Sequence, residues 1–318
     1  MFYLFLLTTL LFVTVSLLPL FPSNHWVVRG WEFPRVQIAS LLFVNICAIL
    51  LFQDYDTGLL VLLWSNIGCL IWQLKWILPY TGFVSPEVEK VMSPPNRQLR
   101  ILTANVLMEN TQTDKLIELV NEYRPDVFVT LETNQWWQEQ LSQLHGQFPY
   151  RVPVPLENLY GMHVYSKLPL CDVQVCELIE EGVPSVACKL EVEGAEAINA
   201  FFLHPAPPSP TENEHATERD HELNLVANRI KNLNGPVIVT GDLNDVAWSP
   251  TTLAFRKSTG LKDPRIGRGM FNTFHAEYRF VRWPLDHIFH SNHFKLVEIK
   301  RLSYIGSDHF PLFTVLAY

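Results

Sequence analysis

Six apolar, strand-length runs in the last two-thirds of this chain each border on a carboxylate, an amide or an imidazole. ILTANV reaches Asn105, DVFVTLET reaches Glu132, and INAFFLHP reaches His204. PVIVTGDLN carries Asp242 and Asn244, WPLDHIF carries Asp286, and GSDHFPL carries Asp308 and His309. Short runs rich in β-branched and aromatic residues read as buried strands. Strands that stop on such groups can gather them at one sheet edge, where they can hold a hard divalent cation and a phosphate.

The second constraint is the N-terminus. Residues 1–21 and 36–52 carry no charge, and residues 58–80 carry only Lys75. A bilayer core needs about 20 apolar residues per helix. The first and third segments meet that length and the second is short. A cleaved signal peptide is the other reading of the first segment. It lacks a basic leader and a small-residue cleavage site. Three membrane helices are therefore expected within residues 1–80, then a linker at 81–97 rich in Pro and Ser, then a folded domain over 98–318.

Charge is balanced up to residue 97, so the net charge of −8 belongs to the domain. A duplex-binding protein usually shows a basic footprint, because phosphate neutralisation supplies most of its non-specific affinity. Globally this domain has none. Residues 177–222 hold eleven acids and two bases, whereas residues 256–301 hold ten bases and four acids. The basic stretch is either a local attraction for an anionic substrate or a solvated surface. Five cysteines show neither a disulfide framework nor zinc spacing.

Strands and helices alternate after Gln98. Helical faces are expected in TDKLIELVNEYR, NQWWQEQLSQLH, HATERDHELNLVANRIKNL and SPTTLAFRKS. Consecutive β runs fill 149–204 without crossover helices. The mixture fits two packed sheets with helices outside.

Each polar residue has a structural and a chemical reading. Asp242 and Asn244 could form an Asx turn, or could place a carboxylate for orienting water beside an amide for a phosphate oxygen. Gly241 permits an unusual turn there. Asp308 and His309 are adjacent, so on an extended segment they face opposite ways. His309 is therefore expected to pair with a carboxylate on another strand, Asp286 being the obvious candidate. Such pairing fixes the imidazole proton and favours the cation. Glu132 could be solvated or a metal ligand, and Asn105 could orient the phosphate or that ligand. His204 is a loop histidine or a donor to the leaving group. His287 and His290 are expected to be structural.

In this order, the residues resemble the endonuclease/exonuclease/phosphatase (DNase I-like) superfamily in a membrane-anchored bacterial form. An early Asn, a strand-end Glu, a His, Asp-x-Asn, a later Asp and Ser-Asp-His are matched by Asn105, Glu132, His204, Asp242 with Asn244, Asp286 and Ser307-Asp308-His309. GMHVYSKLP, from Gly161 to Pro169, resembles a G-x-x-x-x-S-R-x-P stretch of bacterial members, with Lys167 for Arg. Many nucleases of the family place Gln before the Glu, and here Leu131 stands there.

The resemblance implies an α/β fold, a four-layer αββα sandwich preceded by about three transmembrane helices. It implies Mg²⁺, with Mn²⁺ as a substitute, near Glu132, with Asn105 and Asp308 as further candidate ligands. It implies in-line attack of water on phosphorus, with Asp242 orienting or deprotonating the water. Asn105 and Asn244 would position substrate, His309 on Asp286 would contact the phosphate, and His204 would serve the leaving side.

The expected activity is that of a membrane-anchored phosphoesterase acting on a phosphate ester or anhydride, a membrane lipid among the candidates. A nuclease or nucleotide phosphatase is the alternative, and a non-catalytic membrane scaffold a third reading. The expected location is the bacterial inner membrane, multi-pass. The side is open. Arg29 and Arg35 against Asp54 and Asp56 favour a cytoplasmic first loop and domain, while similar anchored members face outward in some cases.

Overall fold

The computed structural model describes residues 2–51, 56–91 and 97–318. Asp54 and linker residues 92–96 lie outside the described residues. Four helices come first: α1 (Phe2–Leu17), the short α2 (Trp26–Arg29), α3 (Arg35–Leu50) and α4 (Thr57–Ile77). Among the described residues, two helical stretches are long and apolar enough to cross a membrane, Phe2–Leu20 and Thr57–Tyr80. The expected middle span differs. It reaches a membrane's thickness only if Trp26–Glu32 and Arg35–Leu50 count together, and these meet at a 68° bend. The bend falls at Phe33-Pro34, where proline has no N–H to continue the helical ladder.

The bundle exposes apolar side chains and buries several polar ones within a mainly apolar core. Leu7, Leu11, Phe43, Val44, Val61, Trp64 and Ile71 are exposed, whereas Thr9, Ser16, Asn45, Asn66 and Gln73 are buried. The Asn66 amide donates to Thr9 Oγ1 at 2.7 Å and accepts from Asn45 Nδ2 at 3.0 Å. Gln73 donates to Ser16 Oγ at 2.9 Å and accepts from Arg35 at 3.1 Å. Side-chain hydrogen bonds between helices and an apolar exterior are what a lipid solvent selects.

The strands are β1 (Gln98–Asn105), β2 (Val127–Leu131), β3 (Tyr150–Val154), β4 (Met162–Ser166), β5 (Leu170–Glu177), β6 (Pro184–Leu190), β7 (Ile198–Leu203), β8 (Val237–Asp242), β9 (Asp286–His290), β10 (Lys295–Arg301) and β11 (Leu312–Ala317). One sheet runs β10-β11-β1-β2-β4-β3 and the other β5-β6-β7-β8-β9. Two pairs are parallel, β1 with β2 and β7 with β8. Helices α5 (Thr113–Tyr123) and α7 (Thr217–Lys231) make those crossovers. With α6 (Gln135–Gln140) and α8 (Pro250–Thr259) they cover the outer faces. The result is the four-layer αββα arrangement.

Period-two alternation sorts each strand between two cores. Leu99, Ile101, Ala200, Phe202 and Ile238 fill the space between the sheets. Leu102, Ala104 and Phe128 face α5 and α6, and Phe201, Leu203 and Val239 face α7 and α8. Thr103 and Thr240 share the inward parity and meet hydroxyl to hydroxyl at 2.5 Å. The next inward positions on the same strands are Asn105 and Asp242.

The bundle is docked on the sandwich. Ala39, Ile77 and Tyr80 pack with Val246, Ala247, Trp248 and Leu285. Tyr80 donates to the Ala247 carbonyl at 2.6 Å, and the Trp248 indole donates to the Glu32 carbonyl at 2.8 Å. Residues 86–91 are pinned as well. Val88 is buried in the inter-sheet core, and Glu89 and Val91 exchange backbone bonds with Leu296.

Two substitutions test these contacts. Trp248→Ala leaves a cavity under the bundle and is expected to cost about 3–5 kcal/mol, read as a lower melting temperature in detergent. At Gly241, φ is +149° and an added Cβ would lie 1.9 Å from the Leu203 carbonyl oxygen. Gly241→Ala is therefore expected to destabilise by about 3 kcal/mol or more. A melting temperature equal to that of the parent would contradict the close β7–β8 approach.

Candidate active site

The polar groups gather where β1, β7 and β8 end and β9 begins. The inward parity that stacks Thr103 on Thr240 carries Asn105 to Asp242. Asn105 Nδ2 donates to Asp242 Oδ2 at 3.2 Å and to Glu132 Oε1 at 2.7 Å. Its Oδ1 accepts from the Leu107 amide at 3.1 Å. One amide thus holds two carboxylates in fixed positions.

Glu132 reaches that amide through backbone geometry. Leu131 points into the inter-sheet core, so simple alternation would turn Glu132 to the helical face. Its φ of +59° puts it in the left-handed region, which turns the chain toward Asn105. Burial raises its carboxyl to about 7, against the opposing Asn105 hydrogen bond and His309. A buried carboxylate this poorly compensated suits a cation beside it.

Asp242 sits opposite Asp286 in the β8–β9 register. Its Oδ1 accepts from the Asn244 amide at 2.9 Å. Burial raises its pKa, with His309 pulling the other way. Asn244, at φ +50°, donates from Nδ2 to the Pro205 carbonyl at 3.0 Å. That bond ties the turn after β8 to the turn after β7.

His309 bridges two carboxylates. Nδ1 meets Asp286 Oδ2 at 2.7 Å, and Nε2 lies 3.4 Å from Asp242 Oδ2. Burial alone would lower its pKa, but Asp286 and Asp242 outweigh it and hold the imidazole at about 10. The ring is a fixed cation at neutral pH. Ser307 Oγ donates to the Asn105 carbonyl at 2.8 Å and accepts from the His309 amide at 3.0 Å, which fixes the approach of this segment. Asp308 accepts from Ser307 Oγ at 3.3 Å and lines the same cavity as His309.

His204 follows β7 with inward parity. Burial lowers it to about 4, so it is neutral, and its Nδ1 has no hydrogen-bond partner among the described residues. Glu132, His204, Asp242, Asn244, Asp308 and His309 line one cavity of about 280 Å³. Asn105 and Asp286 stand behind them, each in hydrogen-bond contact with a lining group.

Ligand atoms of Asp242, Asp286 and His309 also lie within 4.8 Å of one another, a cluster that could hold a divalent ion. Its chemistry differs from that at Glu132. An imidazolium between two carboxylates already offsets one of their two negative charges and occupies an oxygen of each, whereas Glu132 and Asp308 offer oxygen donors of the kind Mg²⁺ prefers.

His287 and His290 are buried away from the cavity. His287 lies between Arg265 at 2.7 Å and the Asp245 carbonyl at 2.9 Å, and burial pushes it down to about 3. The basic stretch is likewise mostly structural. Arg265 pairs with Asp263, Arg256 with Glu87, Lys295 with Glu89 and Lys300 with Glu298. Arg268, Arg282 and Arg301 donate to backbone carbonyls.

Sequence reading missed three contributors. Buried Arg219 donates to the Asn244 carbonyl at 2.8 Å and lies 3.5 Å from Asp245. Its neighbour Asp220 meets Arg29 of the N-terminal segment at 3.5 Å. Tyr160 and Phe33 line the cavity. A single Arg, Tyr or Phe in a helix or loop carries no spacing signal, so nothing in the sequence marked them.

Comparisons with known proteins follow this geometry. No curated protein matches the chain at a significant level. Among solved structures, D. rerio TDP2 with a single-strand DNA product matches with a TM-score of 0.58 at 14% identity, covering 70% of this chain and 100% of that one. The Bacteroides thetaiotaomicron mannosyl-6-phosphatase matches with a TM-score of 0.52 at 18% identity, covering 69% and 100%. Staphylococcus aureus beta toxin matches with a TM-score of 0.50 at 17% identity, covering 68% and 99%. These likenesses establish a DNase I-like fold. The Endonuclease/Exonuclease/phosphatase family model matches residues 102–309, a span that runs from β1 to His309. The chain belongs to the Endonuclease/Exonuclease/phosphatase family, hydrolases of phosphate esters.

Proposed function

We propose that this protein is a membrane-anchored, Mg²⁺-dependent phosphoesterase that hydrolyses a phosphate ester or anhydride. The observation that carries the reading is the single cavity shared by Glu132, His204, Asp242, Asn244, Asp308 and His309. The anchoring part rests on the helices of sufficient length, on their exposed apolar faces and on the side-chain hydrogen bonds between them.

A divalent ion held at Glu132 and Asp308, with Asn105 orienting Glu132, would neutralise negative charge that builds on phosphoryl oxygens. The remaining work falls to the protein. His309, kept cationic by Asp286, donates a charge-assisted hydrogen bond to a phosphate oxygen. Asn244 and Asn105 fix the turns that frame the phosphate. Asp242, with its raised proton affinity, orients the attacking water and takes its proton. One P–O bond forms from the water oxygen as the bond to the leaving oxygen breaks in line. Neutral His204 can donate a hydrogen bond to that leaving oxygen.

Four of the ten basic residues in 256–301 are held in ion pairs and three more donate to backbone carbonyls, so nucleic acid is the weaker substrate reading. The domain also sits at the bundle end bearing Arg29, Arg35 and Lys75, while Asp56 starts α4 at the other. The positive-inside rule assigns that end to the cytoplasm. A reporter fused after Tyr318 tests this, and an active periplasmic reporter would reverse the assignment.

Three outcomes are expected for the chemistry. Asp242→Ala and His309→Ala each lower kcat by at least about a thousandfold with the fold retained; near-parental turnover in either would reject the assignment. Chelation stops turnover and Mg²⁺ restores it, and Glu132→Gln raises the Mg²⁺ concentration needed for half-activation. The pH dependence of stability also has a definite sign. His309 binds its proton more tightly when folded, at about 10 against an ordinary 6.5. Its stabilising contribution is complete below about pH 6.5 and is lost as pH rises toward 10. Melting temperature should fall from pH 7 to pH 10, and His309→Gln should flatten that fall.

A further inference from the structure

The cavity has an apolar wall that the hydrolytic chemistry does not use. Phe274 lies 4.9 Å, ring to ring, from His309. Phe274 in turn stacks on Trp283 at 6.2 Å, and Trp283 meets Phe33 edge-on at 5.7 Å. All three side chains are only half-buried. Phe33 lines the cavity beside the catalytic groups, yet it belongs to the N-terminal segment, at the bend before α3. The same three rings pack in one apolar cluster with Val36, Ala39, Leu74 and Ile77 of α3 and α4. A row of aromatic surface therefore runs without a break from the catalytic imidazole to two helices of the apolar bundle.

The row ends at a loop with its own signature. Tyr278, Phe280 and Val281 are exposed, Phe280 to 81%. The Phe280 carbonyl accepts from Gln37 Nε2 at 2.9 Å, so this apolar tip is fastened to the first turn of α3. Arg279 stacks over the Phe280 ring. An aromatic tip with a flanking cation, held at the end of a bilayer-length bundle, has the composition of a membrane–water interface.

We propose that this row binds the apolar chain of a membrane-embedded substrate. The phosphate lies among Glu132, His309 and Asp242. The chain passes over Phe274, Trp283 and Phe33 and leaves beside Phe280 into the bilayer. The inference rests on the phosphoesterase reading above and adds the substrate class, a phosphate ester or anhydride carried on a long hydrocarbon. Continuity of the row with the helical bundle selects this occupant over a soluble phosphate, which would leave the row uncovered. Burying successive methylenes gives a cumulative gain in binding with chain length.

The test uses the full chain in mixed micelles of fixed composition with Mg²⁺. One arm is a series of isoprenyl pyrophosphates of rising length. A second is a series of two-chain glycerophosphates of rising length. Soluble bis(p-nitrophenyl) phosphate is assayed beside them. The expected result is a rise in kcat/KM of at least tenfold from the shortest to the longest member of one arm, and the arm that responds identifies the carrier. Partition into micelles also favours long chains, so the deciding measurement is the long-to-short ratio in variants. Phe33→Ser should cut that ratio at least threefold, Phe33→Leu should restore it, and Trp283→Gln, read in parallel, should lower it independently of Phe33. A ratio unchanged in Phe33→Ser and Trp283→Gln overturns the proposal, as does a flat series in both arms while the soluble ester is hydrolysed. If no substrate, the soluble ester included, is hydrolysed, the phosphoesterase reading itself fails.

Discussion

The site depends on the register between two sheets. Thr103 and Thr240 touch across the centre of the sandwich, and one inward step further along the same strands puts Asn105 against Asp242. A slip of one residue in either strand would turn its whole inward set outward. Hydrophobic packing between the sheets and the geometry of the candidate site are thus set by one alignment. The Asn105 amide extends that alignment to a third chain end by holding Glu132.

Electrostatics then divides the groups into distinct roles. Of the ionisable side chains that share this small volume, Glu132, His204, Asp242 and His309 have proton affinities shifted by their surroundings. His309 is kept charged by two carboxylates, while His204, buried at the neighbouring strand end, is kept neutral. Two histidines therefore offer different hydrogen-bonding states at a single pH, the condition for separate duties toward attacking and leaving atoms. Glu132 faces the cavity with its proton affinity raised by burial.

Much of this was legible in sequence because strand-end polar residues after apolar runs obey a simple periodicity. The six apolar runs appear as β1, β2, β7, β8, β9 and β11, and the pairing of His309 with Asp286 was expected from the adjacency of Asp308 and His309. Alternation alone does not explain Glu132. Its left-handed backbone overrides strand parity, and a Glu carries no mark of positive φ in sequence. Arg219 was hidden because its role is a contact between distant segments. The middle apolar run, residues 36–52, was short for a span from sequence alone, and the 68° bend that precedes it had no hydropathy signal. Phe33 was invisible because it belongs in sequence to the bundle and in space to the cavity.

The fastening of residues 86–91 has a mechanical consequence. An enzyme on a free leash sweeps a volume around its anchor, and its effective concentration toward a neighbour depends on leash length. Here Val88 is buried between the sheets, and Tyr80 and Trp248 clamp the two parts together. The catalytic opening is therefore held at one height and one tilt relative to the helices. Such an enzyme gives up reach for alignment, and lengthening the connector between Val91 and Gln98 would leave its working distance unchanged.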